Sequence, residues 1–197
     1  MDDVPKTGLR ERKKAKTRSM IQAHAVRLFI EQGYDATSID QIAEAAEVSP
    51  STVFRYFPTK PDLVLYDDLD ARMFAGFRSQ PPELSAVQAL RATFGAFFPA
   101  EGAELAVQQD REQLVRAVPE LRATVLDTFT HTLDDLAHLI AERAGRPADD
   151  DEVLALTGSV IGIAIAAWLS ADAGDWISNF LRRLDAGLAL LETGFHL

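Results

Sequence analysis

Phe29-Ile30-Glu31-Gln32-Gly33-Tyr34-Asp35-Ala36-Thr37-Ser38-Ile39, continuing through Ile42-Ala43, Val48-Ser49, Thr52 and Tyr56-Phe57 to Lys60, is the stretch that decides how this chain folds. Just upstream, Ile21, Ala25, Leu28 and Phe29 stand at i, i+4, i+7 and i+8, one apolar stripe on a helix from about Arg12 to Gln32. Gly33 fits a left-handed C-terminal cap. Ser38 is a good capping residue for a short second helix, Ser38 to about Ala46, with Ile39, Ile42, Ala43 and Ala46 on one face. Residues 47–50 separate it from a third helix, Ser51 to Phe57. There Val53, Phe54 and Phe57 can pack inward, while Ser51, Thr52, Arg55 and Tyr56 stay available to a partner. Two short helices joined by a tight turn and braced by a longer one suggest a helix-turn-helix, whose second helix enters the major groove. Plain helical bundles contain such pairs too, so the spacing leaves DNA and protein partners both open.

Outward from this stretch the pattern stays helical. No segment alternates apolar and polar residues with β-branched enrichment, and no Asn-Gly or Asp-Gly marks a hairpin. Breaks fall at Gly33, Pro50, Pro58 with Pro61, Pro81 with Pro82, residues 99–102, Pro119, residues 145–147 and Gly174. The expected fold is therefore all-α, with about nine helices: an N-terminal three-helix domain over residues 1–60 and a larger helical domain over 61–197.

The charge supports that division. The 197 residues carry a net charge of −10, which taken whole speaks against a nucleic-acid binder. Residues 1–60, however, hold ten basic groups against eight acidic ones, a balance of +2; residues 61–197 hold ten Arg against 22 acids, a balance of −12, and no Lys. Such an asymmetry suggests that the first part faces a polyanion. Lys6 to Arg18 contains seven basic residues and one acid, Glu11, and reads as a flexible arm touching the DNA backbone or reaching the minor groove.

The run from Phe29 to Lys60 resembles the N-terminal domain of the TetR family of bacterial transcription regulators, over about 45 residues from Arg18 to Leu63 without a gap. The resemblance implies a homodimer on a palindromic DNA operator, read through the third helix. Thr37 and Ser38 would offer hydroxyls and backbone N–H groups to a phosphate, Lys60 would contact another phosphate, and Ser49 and Ser51 lie at the start of the third helix. Arg55 could take guanine O6 and N7 together, Thr52 could offer its methyl to thymine, and Tyr56 its hydroxyl to phosphate. Three residues depart from the pattern: Glu47 stands where a turn glycine is usual, Ser51 where glycine is common, and Phe54 where a tyrosine often supplies a phosphate-contacting hydroxyl. Val118-Pro119-Glu120-Leu121-Arg122-Ala123 and the helix order around it are similar to the actinobacterial mycofactocin regulators.

The second part lacks the commoner enzyme motifs: Gly158-Ser159-Val160-Ile161-Gly162 has the wrong spacing for a nucleophile elbow, and no glycine-rich phosphate loop occurs. No cysteine exists for a thiolate metal site or nucleophile, and no cofactor is expected. His131, Asp134, Asp135 and His138 lie within about two turns of one helix, yet no third His, Cys or H-E-x-x-H pattern completes a metal site. The family likeness implies a cavity for a small apolar or amphipathic effector, and Phe74, Phe94, Phe98, Phe129 and Trp168 are its candidate lining. Val153 to Ala171 is an uncharged run of 19 residues, long enough to span a bilayer by count. Its small residues Gly158, Ser159, Gly162, Ala164, Ala166 and Ala167 instead suit close helix packing. In the family this helix and the next, about 175–192, pair with their copies in a four-helix dimer interface, with no membrane involved. With no secretory signal in the first 20 residues, the expectation is a cytoplasmic, homodimeric, effector-released repressor and no enzyme. The alternatives are a helical protein-interaction module and a small metal- or His-dependent enzyme.

Overall fold

A computed structural model of the chain describes residues 6–66, 69–97, 103–171 and 176–194, and every regular element among them is helical. In chain order these are α1 (Lys6–Gln32), α2 (Ile39–Ala45), α3 (Pro50–Tyr56), α4 (Asp62–Leu65), α5 (Leu69–Arg78), α6 (Ala86–Phe97), α7 (Ala103–Ala117), α8 (Pro119–Ala144), α9 (Asp151–Ser170) and α10 (Trp176–Thr193). Among the described residues ten helices stand where the sequence breaks give nine, because the segment between Pro61 and Pro81 contains both α4 and α5. Tyr66 leaves α4 with extended backbone, φ −61° and ψ 124°. No glycine or proline marks the spot. The carbonyls exposed there are satisfied from outside the helix: Gln22 Nε2 donates to Tyr66 O at 2.8 Å, Arg111 Nη2 to the same oxygen at 3.2 Å, and Arg111 Nε to Val64 O at 2.6 Å.

The described residues fall into two compact units, one of residues 6–66 with 110–123, the other of residues 69–109 with 124–194. In the first unit, α1 begins at Lys6, ahead of the expected Arg12. The basic run Lys6 to Arg18 is thus the first half of a helix rather than a flexible arm. Lys, Arg, Glu, Ala and Met all favour the helix, and the lone Gly8 does not interrupt it. Ile21, Ala25, Val26 and Phe29 on α1, Ile42, Ala43 and Ala46 on and after α2, Val53 and Phe57 on and after α3, and Leu63 and Val64 on α4 supply the buried core.

The second unit is built around Phe77 of α5, Leu90 of α6, Leu139 and Ile140 of α8, Val160 and Ile161 of α9, and Leu184 and Leu188 of α10. Gly187 lets α10 lie against α9: a Cβ there would stand 2.5 Å from Ile163 Cγ2. Arg91 of α6 joins Asp185 at 2.7 Å and Glu192 at 3.0 Å on α10, and its guanidinium holds the Asp185 carboxyl below the usual carboxylate range. Arg143 of α8 lies 5.3 Å from the Phe77 ring and donates to the carbonyls of Gln80, Pro81 and Leu84, tying down the turn between α5 and α6.

α9 starts on a strong cap. Asp150 accepts from the N–H groups of Glu152 and Val153; those bonds, led by the one from Glu152, with Arg146 beside it, hold its carboxyl below the ordinary range. Val153, Thr157, Val160, Ile161, Ala164, Ala167 and Trp168 turn inward, while Gly158, Ser159, Gly162 and Ala166 are exposed beside the exposed Leu154 and Leu169. The small residues expected to act as one packing set therefore divide, Ala164 and Ala167 serving the chain's own core. By length and composition α9 alone among the described helices could cross a membrane.

Candidate nucleic-acid interface

The first helices of the chain are joined by local caps. Gly33, at φ +94°, ends α1 with its N–H on Phe29 O at 3.0 Å. Ser38 and Gln41 then form a reciprocal capping box: Gln41 N donates to Ser38 Oγ at 3.2 Å, and Ser38 N to Gln41 Oε1 at 2.7 Å. Between α2 and α3, Val48 N returns to Ala43 O at 2.9 Å, and Glu47 takes φ +53°. This left-handed conformation is the physical reason a glycine is usual at that point of the turn, and here an acid adopts it. Ser49 caps α3, and Pro50 occupies the first helical position, where its missing N–H costs nothing. The third helix thus begins one residue earlier than the sequence breaks suggest.

On α3, Val53 and the capping Phe57 are buried, whereas Ser51, Phe54 and Arg55 are exposed and Thr52 and Tyr56 half-buried. Phe54, expected to pack inward, is instead on the outer face. Val53 and Phe57, at i and i+4, already fill the inward stripe of a seven-residue helix, and the direction of position 54 points elsewhere. The hydroxyls of Ser49, Ser51 and Thr52 form a cluster, with Ser49 Oγ 2.8 Å from Ser51 Oγ and 2.9 Å from Thr52 Oγ1. Two guanidinium groups flank the Tyr56 ring, Arg55 at 5.3 Å and Arg18 at 5.9 Å from its centroid, and Arg18 also lies 4.2 Å from that of Tyr66. Arg18, read from the sequence as part of the arm, is packed against aromatic faces of the head.

Other candidates separate. Ser38 is exposed, but its hydroxyl and N–H are both engaged in the capping box. Thr37 is 2% exposed, and its hydroxyl donates to Gly33 O at 2.7 Å. That bond closes the end of α1 and places the side chain inside rather than beside Ser38. Lys60 is half-buried; its Nζ donates to Tyr34 O at 2.6 Å and lies 4.4 Å from the centroid of the Tyr34 ring, so it anchors the loop after α1. Burial, and then the carboxylate of Glu120, pushes the Tyr34 phenol above its ordinary range. Arg111 and Glu120 were not legible as parts of this unit, since their partners lie far away in sequence.

In the second unit, Phe74, Phe94 and Phe129 are half-buried against the core, and Trp168 is buried with its ring 6.3 Å from that of Phe129. Phe98 lies outside the described residues. The histidines gather no metal site. His131 and His138 are exposed and stand beside carboxylates of their own helix, Asp127 at 3.4 Å and Asp134 at 3.8 Å, and no group of three His, Asp or Glu suited to a metal exists among the described residues.

Comparison with known proteins decides what kind of head this is. Residues 21–66 match the tetR family of bacterial regulatory proteins, and residues 84–196 match the MftR C-terminal domain. The chain belongs to the TetR family. It is 35% identical over 152 residues to the HTH-type transcriptional regulator TcmR of Streptomyces glaucescens, covering 73% of this chain and 67% of that protein. With MftR of Mycobacterium tuberculosis, named for regulation of mycofactocin biosynthesis, it shares 25% identity over 160 residues, 80% of each chain. A transcriptional regulator of Aquifex aeolicus VF5 has the same fold, with a TM-score of 0.54 at 14% identity over 89% of this chain and 99% of that one. As a TetR-family transcription regulator, the chain carries in α2, the turn and α3 the family's helix-turn-helix. Both resemblances read from the sequence, in the head and in the C-terminal part, hold.

Proposed function

We propose that the protein is a homodimeric one-component repressor of the cytoplasm that binds a palindromic operator through α3 and is released by a small apolar or amphipathic effector. The observation that carries this reading is the outer face of α3, where Ser51 and Arg55 stand exposed beside the Ser49 and Thr52 hydroxyls on a helix capped at its start by Ser49. That face offers a guanidinium for a guanine edge and hydroxyls for phosphates. Lys60 and Tyr56 are the further candidate phosphate contacts, with Ser38 at the start of α2.

Support for the dimer comes from α9, whose outer side, with Leu154, Gly158, Gly162, Ala166 and Leu169, is uncharged and would stand in water unless a second copy covers it. A two-fold pair would set two α3 helices one DNA turn, or a multiple, apart. For the effector, the support is the grouping of Phe129 and Trp168, with Phe74 and Phe94 on the same core. An effector acts only in proportion to its preference for the conformation that does not bind DNA.

Selection of duplexes from random DNA, followed by titration at several salt concentrations, tests the reading. A specific duplex should emerge, with binding that weakens steeply with salt. Arg55→Ala should cost about 1–3 kcal/mol of discrimination at one base pair. Lys60→Ala should weaken all sequences alike and flatten the salt slope. Absence of any preferred duplex would sink the proposal.

A further inference from the structure

We propose that Phe54 is a specificity-determining residue whose ring seats the 5-methyl group of a thymine in the major groove. This rests on the role proposed above for α3. Phe54 is 51% exposed, while Val53 and Phe57 on either side are at 0% and 1%. An aromatic ring left in water on a helix face gives up the stabilisation that burial would bring, and the sequence around it has the means to bury aromatics. Ser51, Phe54 and Arg55 stand at i, i+3 and i+4, so the ring shares its face with the guanidinium and the hydroxyl cluster.

The chemistry of the ring restricts what it can touch. Phenylalanine has no hydrogen-bonding group to offer a phosphate oxygen, so the contact that a tyrosine hydroxyl would make from this position is closed to it. The apolar surfaces of a duplex are its sugar edges and the thymine methyl, and of these only the methyl lies in the major groove and carries sequence information. The loss of the hydroxyl, which looks like a deficit in affinity, is on this reading an exchange of a non-specific contact for a specific one. Because Phe54 and Arg55 are adjacent on one short helix, the thymine falls within a base pair or two of the guanine that Arg55 takes.

Deoxyuridine provides the test, since it removes the methyl and keeps every pairing and hydrogen-bonding group. The selected duplex is prepared with each thymine replaced in turn, and the Kd is measured for the wild type, Phe54→Ala and Phe54→Leu at one salt concentration. The expected result is one position per half-site where deoxyuridine weakens the wild type about fourfold and leaves Phe54→Ala unaffected. Phe54→Leu should keep part of the effect. Equal binding of thymine and deoxyuridine duplexes by the wild type overturns the proposal, as does a deoxyuridine penalty that persists undiminished in Phe54→Ala, which would place the methyl against another side chain such as Thr52. If Phe54→Ala melts below the wild type, the comparison is read from Phe54→Leu alone, with the same two outcomes. A failure to select any duplex strikes the DNA reading itself and is thereby distinguishable.

Discussion

α3 and α9 each turn one face to the core and leave the other open, yet the open faces differ in charge and in kind. The outer face of α3 carries Ser51, Phe54 and Arg55; that of α9 carries Leu154, Gly158, Ser159, Gly162, Ala166 and Leu169. One combines a directional charge, hydroxyls and a single ring, which suits a polyanion with sequence-bearing edges. The other has no charge and little relief, which suits a second helix approaching closely. The uncharged run that by length alone imitates a membrane span is thus half core and half open face. What an exposed face is made of says more about its partner than how apolar the helix is on average.

The largest effect should come from charging the open face of α9. No atom lies within 4 Å of where a Cβ at Gly162 would stand, so Gly162→Arg should fold while obstructing a copy. Sedimentation should then show a monomer, and affinity for a two-half-site operator should fall about a hundredfold or more as the linkage between heads is lost. Arg55→Ala, by contrast, should weaken DNA binding and leave the dimer intact. If Gly162→Arg remains dimeric, or if Arg55→Ala dissociates the dimer, the separation of the two faces is wrong.

The closed side of the same helix gives a smaller effect of a different kind. Gly187→Ala pushes a methyl into Ile163, and repacking should lower the unfolding free energy by about 1–3 kcal/mol, as measured by chemical denaturation. Operator specificity should not change, because the strain lies within the second unit. The smallest effect belongs to the turn before α3. Glu47→Gly relieves a left-handed backbone at φ +53° and should stabilise the protein by about 0.5–1 kcal/mol, after allowing for the entropy of glycine in the unfolded chain. It also removes an acid near the proposed interface, so low-salt DNA affinity should rise; an unchanged melting curve would refute the strain.

The legible part of the molecule was its local part. Gly33 and Ser38 each act on a neighbour within a few residues, and the apolar stripes of α1 and α2 repeat with the helical period, whereas Pro50, read as a break, is the first residue of α3 and Ser49 its cap. Caps and periodicity are properties of short segments, so they can be read in one dimension. At the candidate interface the same reading placed Arg55 and Ser51 on the surface, but it set Phe54 inward and Thr37 outward. In a seven-residue helix, and in the loop leading to one, a turn of a fraction of the helical period exchanges inside for outside, and only the surrounding core fixes that rotation.

The sequence by itself determined an all-helical chain, a capped helix-turn-helix near its start, and the family to which both parts belong. The tertiary structure alone decided that the helix after Lys60 stops at Tyr66 and that Arg111 and Gln22 satisfy the carbonyls left there. It also decided which small residues of α9 face the core. The stop at Tyr66 depends on side chains meeting partners more than forty residues away along the chain, where no local preference can specify the contact.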